Sequence, residues 1–186
     1  MNRRKFFSWI PLLTLYGLGI PAGQGKETAA NVNEILKIQK RWRLFSPEHL
    51  KLTKASPKIS RNNNEWKSLL TQDEYEILFE EQTERPYSST FNDEQREGLY
   101  VCRACNLPLF SSEMKFDSGT GWPSFYTTIP GHLETKADYK LIWPRTEYHC
   151  VKCGGHQGHV FDDGPKPTME RWCNNGLSLN FIGHQF

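Results

Sequence analysis

The chain has 186 residues, of which 37% are hydrophobic and 13% aromatic, and its formal net charge is +2. This apolar content is enough for a packed core, which argues against a wholly disordered chain, and the small charge argues against a nucleic-acid-binding protein. Five cysteines are too few for a disulfide-rich scaffold. Because the number is odd, at least one sulfur lacks an intramolecular partner.

Residues 1–30 have the features of a targeting segment. Arg3 and Arg4 precede an apolar stretch, Ser8–Ile20, which contains no charged residue. This pattern resembles a twin-arginine export signal and implies export to the periplasm or an equivalent compartment. The alternative is a membrane anchor formed by an uncleaved N-terminus, although the apolar stretch is shorter than the ~20 residues that span a bilayer. Membrane contact is expected through this segment only.

Residues 31–62 are predicted to form a basic linker arm. Residues 26–67 contain ten basic and four acidic side chains, whereas residues 69–186 contain ten basic and 17 acidic ones. Apolar side chains three or four positions apart predict a short helix from Val32 to Phe45 within the arm. These side chains are Ile35, Ile38, Trp42 and Phe45. We expect the arm to be a solvated spacer; contact with anionic lipid or with a partner is the alternative.

Residues 63–186 are predicted to form one folded, mainly β domain with short N-terminal helices. The segment Thr71–Glu74 has the form of a capping box, which predicts a helix to about Gln82 that buries Tyr75, Leu78 and Phe79. After Pro86, short aromatic and β-branched runs alternate with turn residues, which predicts short strands and no long helix. The predicted strands are Gly98–Arg103, Pro108–Phe110, Ser124–Thr127, Tyr148–Val151, His159–Phe161, Arg171–Asn174 and Ser178–Phe181.

Two C-x-x-C pairs, Cys102/Cys105 and Cys150/Cys153, are separated by 44 residues. A Gly-Gly pair follows the second one, where a tight turn needs a positive φ. Two such turns, each at the tip of a hairpin and facing each other, would form a tetrahedral four-cysteine site for one structural Zn²⁺. The separation exceeds that of a compact zinc ribbon, so the metal is expected to join two parts of a larger β domain. A redox-active C-x-x-C and a pair of disulfides are the alternatives.

Cys173 is the fifth cysteine. Side chains alternate along a strand, so Arg171, Cys173 and Asn175 are expected to lie on one face. A neighbouring Arg favours the thiolate, and an Asn amide can donate to or accept from a substrate. From this segment alone, a buried and inert cysteine is the alternative.

Two other segments supply the chemistry that a nucleophilic cysteine needs. His156 and His159 follow the second cysteine pair and offer an acid or a base, with a capping or core role as the alternative. Trp122 lies on a turn between Gly121 and Pro123, where an indole can face a cleft and hold a methyl–sulfur group. A core position is the alternative for this indole.

Together these motifs resemble the type B methionine-R-sulfoxide reductases over residues 63–186. The matching segments occur in the family's order: Thr83–Pro86, Cys102–Ser112, Lys115–Phe125, Cys150–Pro167 and Arg171–Asn175. The resemblance implies a β-tent-like domain of two antiparallel sheets with short N-terminal helices and a zinc site of four cysteines.

The resemblance also implies a reaction. Cys173 attacks the sulfoxide sulfur of an oxidised methionine in a protein, and is left as a sulfenic acid. His159, with His156 as the second candidate, protonates the departing oxygen, while Arg171 and Asn175 hold the thiolate and orient the substrate. Trp122 and Phe125 are implied as substrate-binding residues. The function implied is thiol-dependent repair of oxidative damage to proteins.

The sequence departs from the family's pattern at several positions. Many members carry a second, resolving cysteine where Thr120 stands here. We therefore predict that an external thiol, either a thioredoxin-like protein or a small molecule, reduces the sulfenic acid. The other departures affect substrate preference and rate rather than reaction type; they are Gln157, Met169, Trp172 and Asn174.

Two other functions fit parts of the sequence. A non-catalytic zinc-ribbon module would recognise protein or nucleic acid, but the acidic balance of residues 69–186 disfavours phosphate binding. A degenerate relative would bind methionine sulfoxide without reducing it. The presence of Cys173, both histidines, Trp122 and Asn175 argues against this. A monomer is expected.

Overall fold

The computed structural model describes residues 22–46, 57–140 and 143–184. The N-terminal part of this range forms helix α1, Ala22–Arg41, which continues into a 3₁₀ turn, Trp42–Phe45. The helix predicted to begin at Val32 is therefore present and starts ten residues earlier, inside the segment attributed to targeting. Among the described residues, no helix combines the length and the apolar character needed to span a membrane. The twin-arginine motif lies outside the described residues, as does the linker between positions 47 and 56.

The end of the basic arm packs on the domain. Trp42 is 3% exposed and Phe45 9% exposed, and both belong to the main hydrophobic core. Gln39 Nε2 donates to Thr127 Oγ1 at 2.8 Å, and Arg41 forms an ion pair with Glu113 at 2.7 Å. The expectation of a solvated spacer is therefore wrong for this part of the arm, because the apolar positions of its helical pattern are used for burial.

Two short helices precede the sheets, and each begins with a capping box. Helix α2, Asn63–Leu69, is capped by Asn62 and Glu65, and was not among the predicted elements. Helix α3, Gln72–Glu80, is capped by Thr71 and Glu74 as predicted. It buries Tyr75 and Leu78, while Phe79 is partly buried against the core.

The rest of the described chain forms two antiparallel sheets. A three-stranded sheet has the order β2-β1-β9, and a six-stranded sheet has the order β3-β4-β8-β7-β6-β5. The strands are β1 Gly98–Cys102, β2 Pro108–Ser111, β3 Lys115–Phe116, β4 Ser124–Phe125, β5 Leu133–Asp138, β6 Arg145–Cys150, β7 His156–Phe161, β8 Arg171–Asn174 and β9 Leu179–Gly183. This is the mainly β class that the residue pattern predicts and the pair of antiparallel sheets that the resemblance implies; β3 and β5 are additional strands.

The core lies between the two sheets and is rich in aromatic rings. The ring of Phe125 on β4 stacks on that of Phe110 on β2, with centroids 3.9 Å apart, and packs edge-on against Tyr100 of β1 at 5.0 Å. Phe125 is fully buried. The prediction that Phe125 binds substrate is therefore wrong, because its side chain faces the opposite sheet.

Strand pairing places Cys173 near the centre of the larger sheet. On β8, Cys173 lies opposite Ser124 of β4 on one side and opposite His159 of β7 on the other. Next to this pair, a Cβ atom at Gly158 would lie 1.9 Å from the Cys173 carbonyl oxygen, so β7 can approach β8 closely only with glycine there. The sheet therefore fixes a cysteine and a histidine side by side.

Candidate active site and metal centre

The two C-x-x-C pairs form matching turns at the tips of two hairpins. Cys102 and Cys105 lie at the turn between β1 and β2, and Cys150 and Cys153 lie at the turn between β6 and β7. In each turn the residue after the second cysteine has a positive φ, 56° at Asn106 and 76° at Gly154. Its backbone N–H donates to the carbonyl of the first cysteine at 2.8 Å. The positive φ expected after the second pair is thus confirmed.

The four sulfurs converge on one point. The Sγ atoms of Cys102 and Cys153 are 3.6 Å apart, and those of Cys105 and Cys150 are 3.5 Å apart. These separations are too long for disulfides, and are close to the ~3.8 Å edge of a tetrahedron with metal–sulfur bonds of about 2.3 Å. The four cysteines can therefore hold one metal ion, and such an ion would tie the three-stranded sheet to the six-stranded sheet.

One side chain outside the cysteine set contacts these sulfurs from within the core. Gln157 is fully buried, and its Nε2 donates to Cys102 Sγ at 3.5 Å and to the Gly155 carbonyl at 3.2 Å. An amide N–H is a suitable donor to a thiolate, so the departure at position 157 supports the metal centre rather than the substrate site.

Cys173 opens into a cavity of about 210 Å³. The cavity brings together residues from five separate parts of the sequence, and five of its lining residues were predicted to be functional. The principal lining residues are Thr120, Trp122, His159, Arg171, Cys173 and Asn175. The predicted side chains that do not line it are His156 and Phe125. A half-buried cysteine in a small, partly apolar cavity is typical of an active site rather than of a packed core.

Opposing effects set the ionisation of Cys173. Burial raises the pKa of the thiol above its ordinary value of 9.0, and this effect outweighs the others. The Arg171 charge and hydrogen bonds from Thr120 and Arg171 act in the opposite direction. The expected influence of the Arg is therefore present, but in the resting site it moderates the pKa rather than producing a thiolate.

Arg171 is held in place by Asp163. Its Nε and terminal guanidinium nitrogen donate to the two carboxylate oxygens of Asp163 at 2.7 and 2.9 Å, and the guanidinium lies 4.3 Å from the Phe161 ring centroid. The side chain is 7% exposed. This two-point contact fixes the direction of the positive charge beside Cys173. Asp163 lies in the Cys150–Pro167 segment, but its partner could not be read from the sequence.

His159 has a carboxylate partner that the sequence analysis missed. Its Nε2 donates to Asp138 Oδ2 at 2.9 Å, and the same oxygen accepts from Arg145 at 2.7 Å. In the neutral ring this places the proton on Nε2, so that Nδ1 carries the lone pair. Burial, the largest effect, lowers the pKa of His159 below 6.5, whereas Asp138 raises it.

His156 lies beside His159 but outside the cavity lining. The two ring centroids are 5.4 Å apart. His156 is 1% exposed, and burial, together with His149 and His159, lowers its pKa to about 3. As the second candidate for the acid, it is therefore a neutral, buried side chain that the structure does not bring to Cys173.

Trp122 and Asn175 are both anchored through the Thr83–Pro86 segment. Trp122 Nε1 donates to the Glu84 carbonyl at 3.2 Å, and Asn175 Oδ1 accepts from the Glu84 N–H at 3.2 Å. The buried Glu84 carboxylate accepts from the backbone of Gly176 and Leu177, just after Asn175. Asn175 also donates to the Gln157 carbonyl at 3.2 Å, so its amide holds the loop together while it lines the cavity.

Asn174 and Met169 are two further departures from the family pattern, and the structure explains only the first. Asn174 is fully buried, and its amide accepts from Tyr148 Oη at 2.8 Å and donates to Ser178 Oγ at 2.9 Å. Met169 has a φ of +60°, a conformation that favours glycine. Nothing in the structure explains the methionine there.

Comparison with known proteins agrees with this geometry. The SelR domain family model matches residues 70–183. The chain is 45% identical over 128 residues to a "Peptide methionine sulfoxide reductase MsrB" from Methanosarcina mazei, covering 68% of this chain and 91% of the relative. It is 48% identical over 120 residues to the Alteromonas mediterranea protein of the same name, covering 64% of this chain and 84% of the relative.

A plant relative extends the similarity. "Peptide methionine sulfoxide reductase B1, chloroplastic" from Arabidopsis thaliana is 42% identical over 134 residues, covering 72% of this chain and 66% of the relative. The matched region contains both sheets, all four converging cysteines and Cys173. The chain belongs to the MsrB family of peptide methionine sulfoxide reductases, which carries the SelR domain.

Proposed function

We propose that this protein reduces the R epimer of methionine sulfoxide in oxidised proteins, with Cys173 as the nucleophile. The observation that carries this proposal is the cavity that holds Cys173, His159 and Trp122 together. Membership of a family whose relatives are named peptide methionine sulfoxide reductases supports the same reaction. Damage repair is the corresponding role.

In the first half-reaction, Cys173 takes the oxygen from the substrate. The thiol proton passes to His159 Nδ1 as the sulfur attacks, and the resulting imidazolium returns it to the sulfoxide oxygen. The hydroxyl then moves to Cys173 Sγ: an Sγ–O bond forms while the substrate sulfur–oxygen bond and the transient bond between Sγ and the substrate sulfur break. Methionine leaves, and Cys173 becomes a sulfenic acid, –SOH. The substrate sulfur gains two electrons and Cys173 loses two, so the step balances.

The charged groups around the cavity suit this sequence of events. Asp138 stabilises the imidazolium that forms during the transfer, since its carboxylate already accepts from His159 Nε2. Arg171 stabilises negative charge on Cys173 while the proton is away. Both charged partners are present before substrate binds, so little reorganisation is needed.

Trp122 is proposed to select the substrate. Its indole forms one wall of the Cys173 cavity, where it can pack on the S-methyl group. The same side chain borders a second cavity of about 460 Å³, lined also by Tyr87, Asn92 and Lys115. This second cavity can accommodate the residues that flank an oxidised methionine in a polypeptide. The substrate is therefore proposed to be protein-bound rather than free methionine sulfoxide.

The second half-reaction is proposed to use an external thiol. The other four cysteines belong to the converging metal set, and Thr120 stands beside Cys173 where a resolving cysteine would act. Two thiols, or one dithiol protein of the thioredoxin type, reduce the sulfenic acid to the thiol, forming a disulfide and one water.

Zinc is the ion proposed for the four cysteines. A closed, all-sulfur set with tetrahedral spacing matches structural zinc, and no cysteine of the set lines the Cys173 cavity. Its role is to join the two sheets. Metal analysis of the purified protein is expected to give one zinc per chain, and chelation should lower the melting temperature; an iron-sulfur cluster or a metal-free stable protein would contradict this assignment.

Export is proposed from the sequence alone. Arg3-Arg4 and the uncharged Ser8–Ile20 stretch support it. Expression of the whole chain in a bacterial host with and without the twin-arginine translocase, followed by fractionation, tests this proposal. Accumulation outside the cytoplasm only when the translocase is present is expected, and Arg3→Lys/Arg4→Lys should abolish it; identical fractionation in both hosts contradicts it.

The decisive experiment uses dabsylated methionine-R-sulfoxide with dithiothreitol. The wild type should reduce the R epimer, the S epimer serves as the matched control substrate, and Cys173→Ser should abolish turnover. After one equivalent of R substrate without reductant, one dimedone-reactive sulfur per chain is expected. Undiminished turnover by Cys173→Ser, or no turnover by the wild type, would defeat the proposal.

A further inference from the structure

A second cluster of buried ligand-type side chains lies on β6 and β7, next to the second cysteine pair but sharing no residue with the four-cysteine set. It consists of Glu147, His149 and His156. His149 and His156 are opposite each other in the strand pairing, and Glu147 is two residues before His149 on the same strand. All three side chains are at least nine-tenths buried, with exposures of 2%, 9% and 1%.

The distances within the cluster match a coordination polyhedron. His149 Nε2 lies 3.3 Å from Glu147 Oε1, and His156 Nδ1 lies 3.4 Å from Glu147 Oε2. Metal–ligand bonds of about 2.0–2.2 Å in a tetrahedron give ligand separations of roughly 3.3–3.6 Å. Both separations from Glu147 fall in this range, and the ligand atoms of all three groups lie within 4.8 Å of one another, which leaves room for one ion between them.

The tautomer of His149 favours metal binding. Its Nδ1 lies 3.1 Å from the Gly154 carbonyl oxygen, which can only accept, so Nδ1 carries the proton. Nε2 is left with a lone pair directed towards Glu147, and among the described residues it has no hydrogen-bond partner. A backbone carbonyl that fixes one imidazole nitrogen while the other coordinates is the usual arrangement of a metal-bound histidine.

His156 adds two more buried atoms without a partner. Neither of its ring nitrogens makes a hydrogen bond within the described parts of the chain. Buried polar atoms without partners are uncommon and costly, and here three such nitrogens belong to two histidines beside one carboxylate. A cation between them would satisfy the lone pairs that face Glu147.

Lys136 is the group that competes for this position. Its Nζ lies 2.6 Å from Glu147 Oε1 and 2.8 Å from Glu81 Oε1, and Lys140 also pairs with Glu81. Because Lys136 has a second carboxylate, it can leave Glu147 without losing all of its ion pairing. Access is available, since a cavity of about 260 Å³ is lined by Lys136, His149 and Gly154.

We propose that Glu147, His149 and His156 form a second metal site, which takes a divalent transition ion such as Zn²⁺ or Co²⁺. Two imidazoles and one carboxylate suit these ions better than Mg²⁺ or Ca²⁺, which prefer oxygen ligands. The site differs from the four-cysteine centre in its donor atoms, and this difference makes the two distinguishable by spectroscopy.

Cobalt titration tests the proposal on the full chain. The protein carries Cys173→Ser, so that the free thiol cannot bind, and its four-cysteine centre is first loaded with zinc. One equivalent of Co²⁺ is expected to bind with visible d–d bands and without a thiolate-to-cobalt charge-transfer band. Absence of binding, or a charge-transfer band, overturns the proposal.

Variants separate the site from general charge effects. His149→Gln should lose cobalt binding while retaining one zinc, as metal analysis will show. Lys136→Gln alters an exposed side chain, so it tests the site even if His149→Gln does not fold. This variant should bind cobalt at least several-fold more tightly. Lys140→Gln removes the same charge without freeing Glu147 and should change the cobalt affinity much less. Equal cobalt affinities of Lys136→Gln and of the protein that retains Lys136 would contradict the proposal.

Discussion

His159 Nε2 donates to Asp138 Oδ2 across 2.9 Å, so the histidine beside Cys173 has its tautomer fixed by a carboxylate 21 residues earlier in the chain. Asp138 ends β5, whereas His159 lies on β7, and β6 separates the two strands. The catalytic role proposed for His159 depends on this contact, because the carboxylate stabilises the protonated ring.

Asp138→Asn is expected to lower the pKa of His159 further. Burial already holds this pKa below 6.5, and the carboxylate is the main influence that raises it. The histidine titration measured by NMR should shift to lower pH. The imidazolium that forms when Cys173 gives up its proton is then less stable, so kcat should fall, by up to about tenfold for each pKa unit lost. Asp162→Asn, which alters an exposed neighbour of the same motif, is the control and should leave both values unchanged.

Arg171→Met is expected to raise the pKa of Cys173. The thiol pKa is already above 9.0 through burial, and Arg171 lowers it both by its charge and by a hydrogen bond. The rate of alkylation by iodoacetamide rises with pH as the thiolate forms, and its midpoint should move to higher pH in the variant. Arg96→Met, on an exposed side chain paired with Glu94, should not move it; a midpoint unchanged by Arg171→Met would contradict the assigned role.

Thr120→Cys is expected to convert the enzyme to an internal disulfide mechanism. Thr120 lines the cavity and hydrogen-bonds the Cys173 sulfur, so a thiol at this position is within bonding reach after small adjustment. After one equivalent of substrate without reductant, mass spectrometry should find a 120–173 disulfide in the variant. The wild type is the control and should retain a dimedone-reactive sulfur. A dimedone-reactive sulfur that persists in the variant would show that a cysteine at position 120 cannot form a disulfide with Cys173.

Trp42→Ala is expected to destabilise the domain by about 3–5 kcal/mol. The indole is 3% exposed and packs edge-on against His132 at 5.6 Å, so its removal leaves a cavity between the arm and the core. Urea denaturation measures the change. Leu44→Ala is the matched control in the same turn, since Leu44 is 67% exposed, and should change stability by less than about 0.5 kcal/mol.

Met169→Gly is expected to stabilise the protein by about 0.5–1 kcal/mol. At a φ of +60°, a residue with a Cβ is strained, and glycine relieves the strain at some cost in unfolded-state entropy. Met169→Ala keeps the Cβ and should give no stabilisation, so the difference between the two variants in urea denaturation isolates the backbone effect. Equal stability of both variants would show that φ is not the cause.

Local chemistry explains why much of the fold is predictable. The capping box at Thr71, the strand runs around Cys102 and Cys150, and the turn at Gly154 depend on neighbours within a few residues. Strands β3 and β5 were missed because one has two residues and the other, Leu133–Asp138, is mostly exposed and charged. Their pairing is imposed by the sheet rather than by their own hydrophobic pattern.

The candidate site likewise contains residues that the sequence indicates and residues that only the fold reveals. Cys173, Trp122 and Arg171 lie in motifs that are recognisable in the sequence, and the family resemblance implies their roles. The partners that orient them do not: Asp138, Asp163 and Glu84 are ordinary acidic residues until strand pairing and loop packing bring them to His159, Arg171 and Trp122. A single acidic residue carries no signal of its distant partner.

The sequence by itself determined the division of five cysteines into two C-x-x-C pairs and one further cysteine, since spacing and local turn chemistry are properties of consecutive residues. It also determined the mainly β class. Only the tertiary structure decided that Phe125 belongs to the core, that Trp42 docks the arm and that His159 rather than His156 reaches the cavity. These outcomes depend on which face of each element meets another element, and that choice is made by packing among residues far apart in the chain.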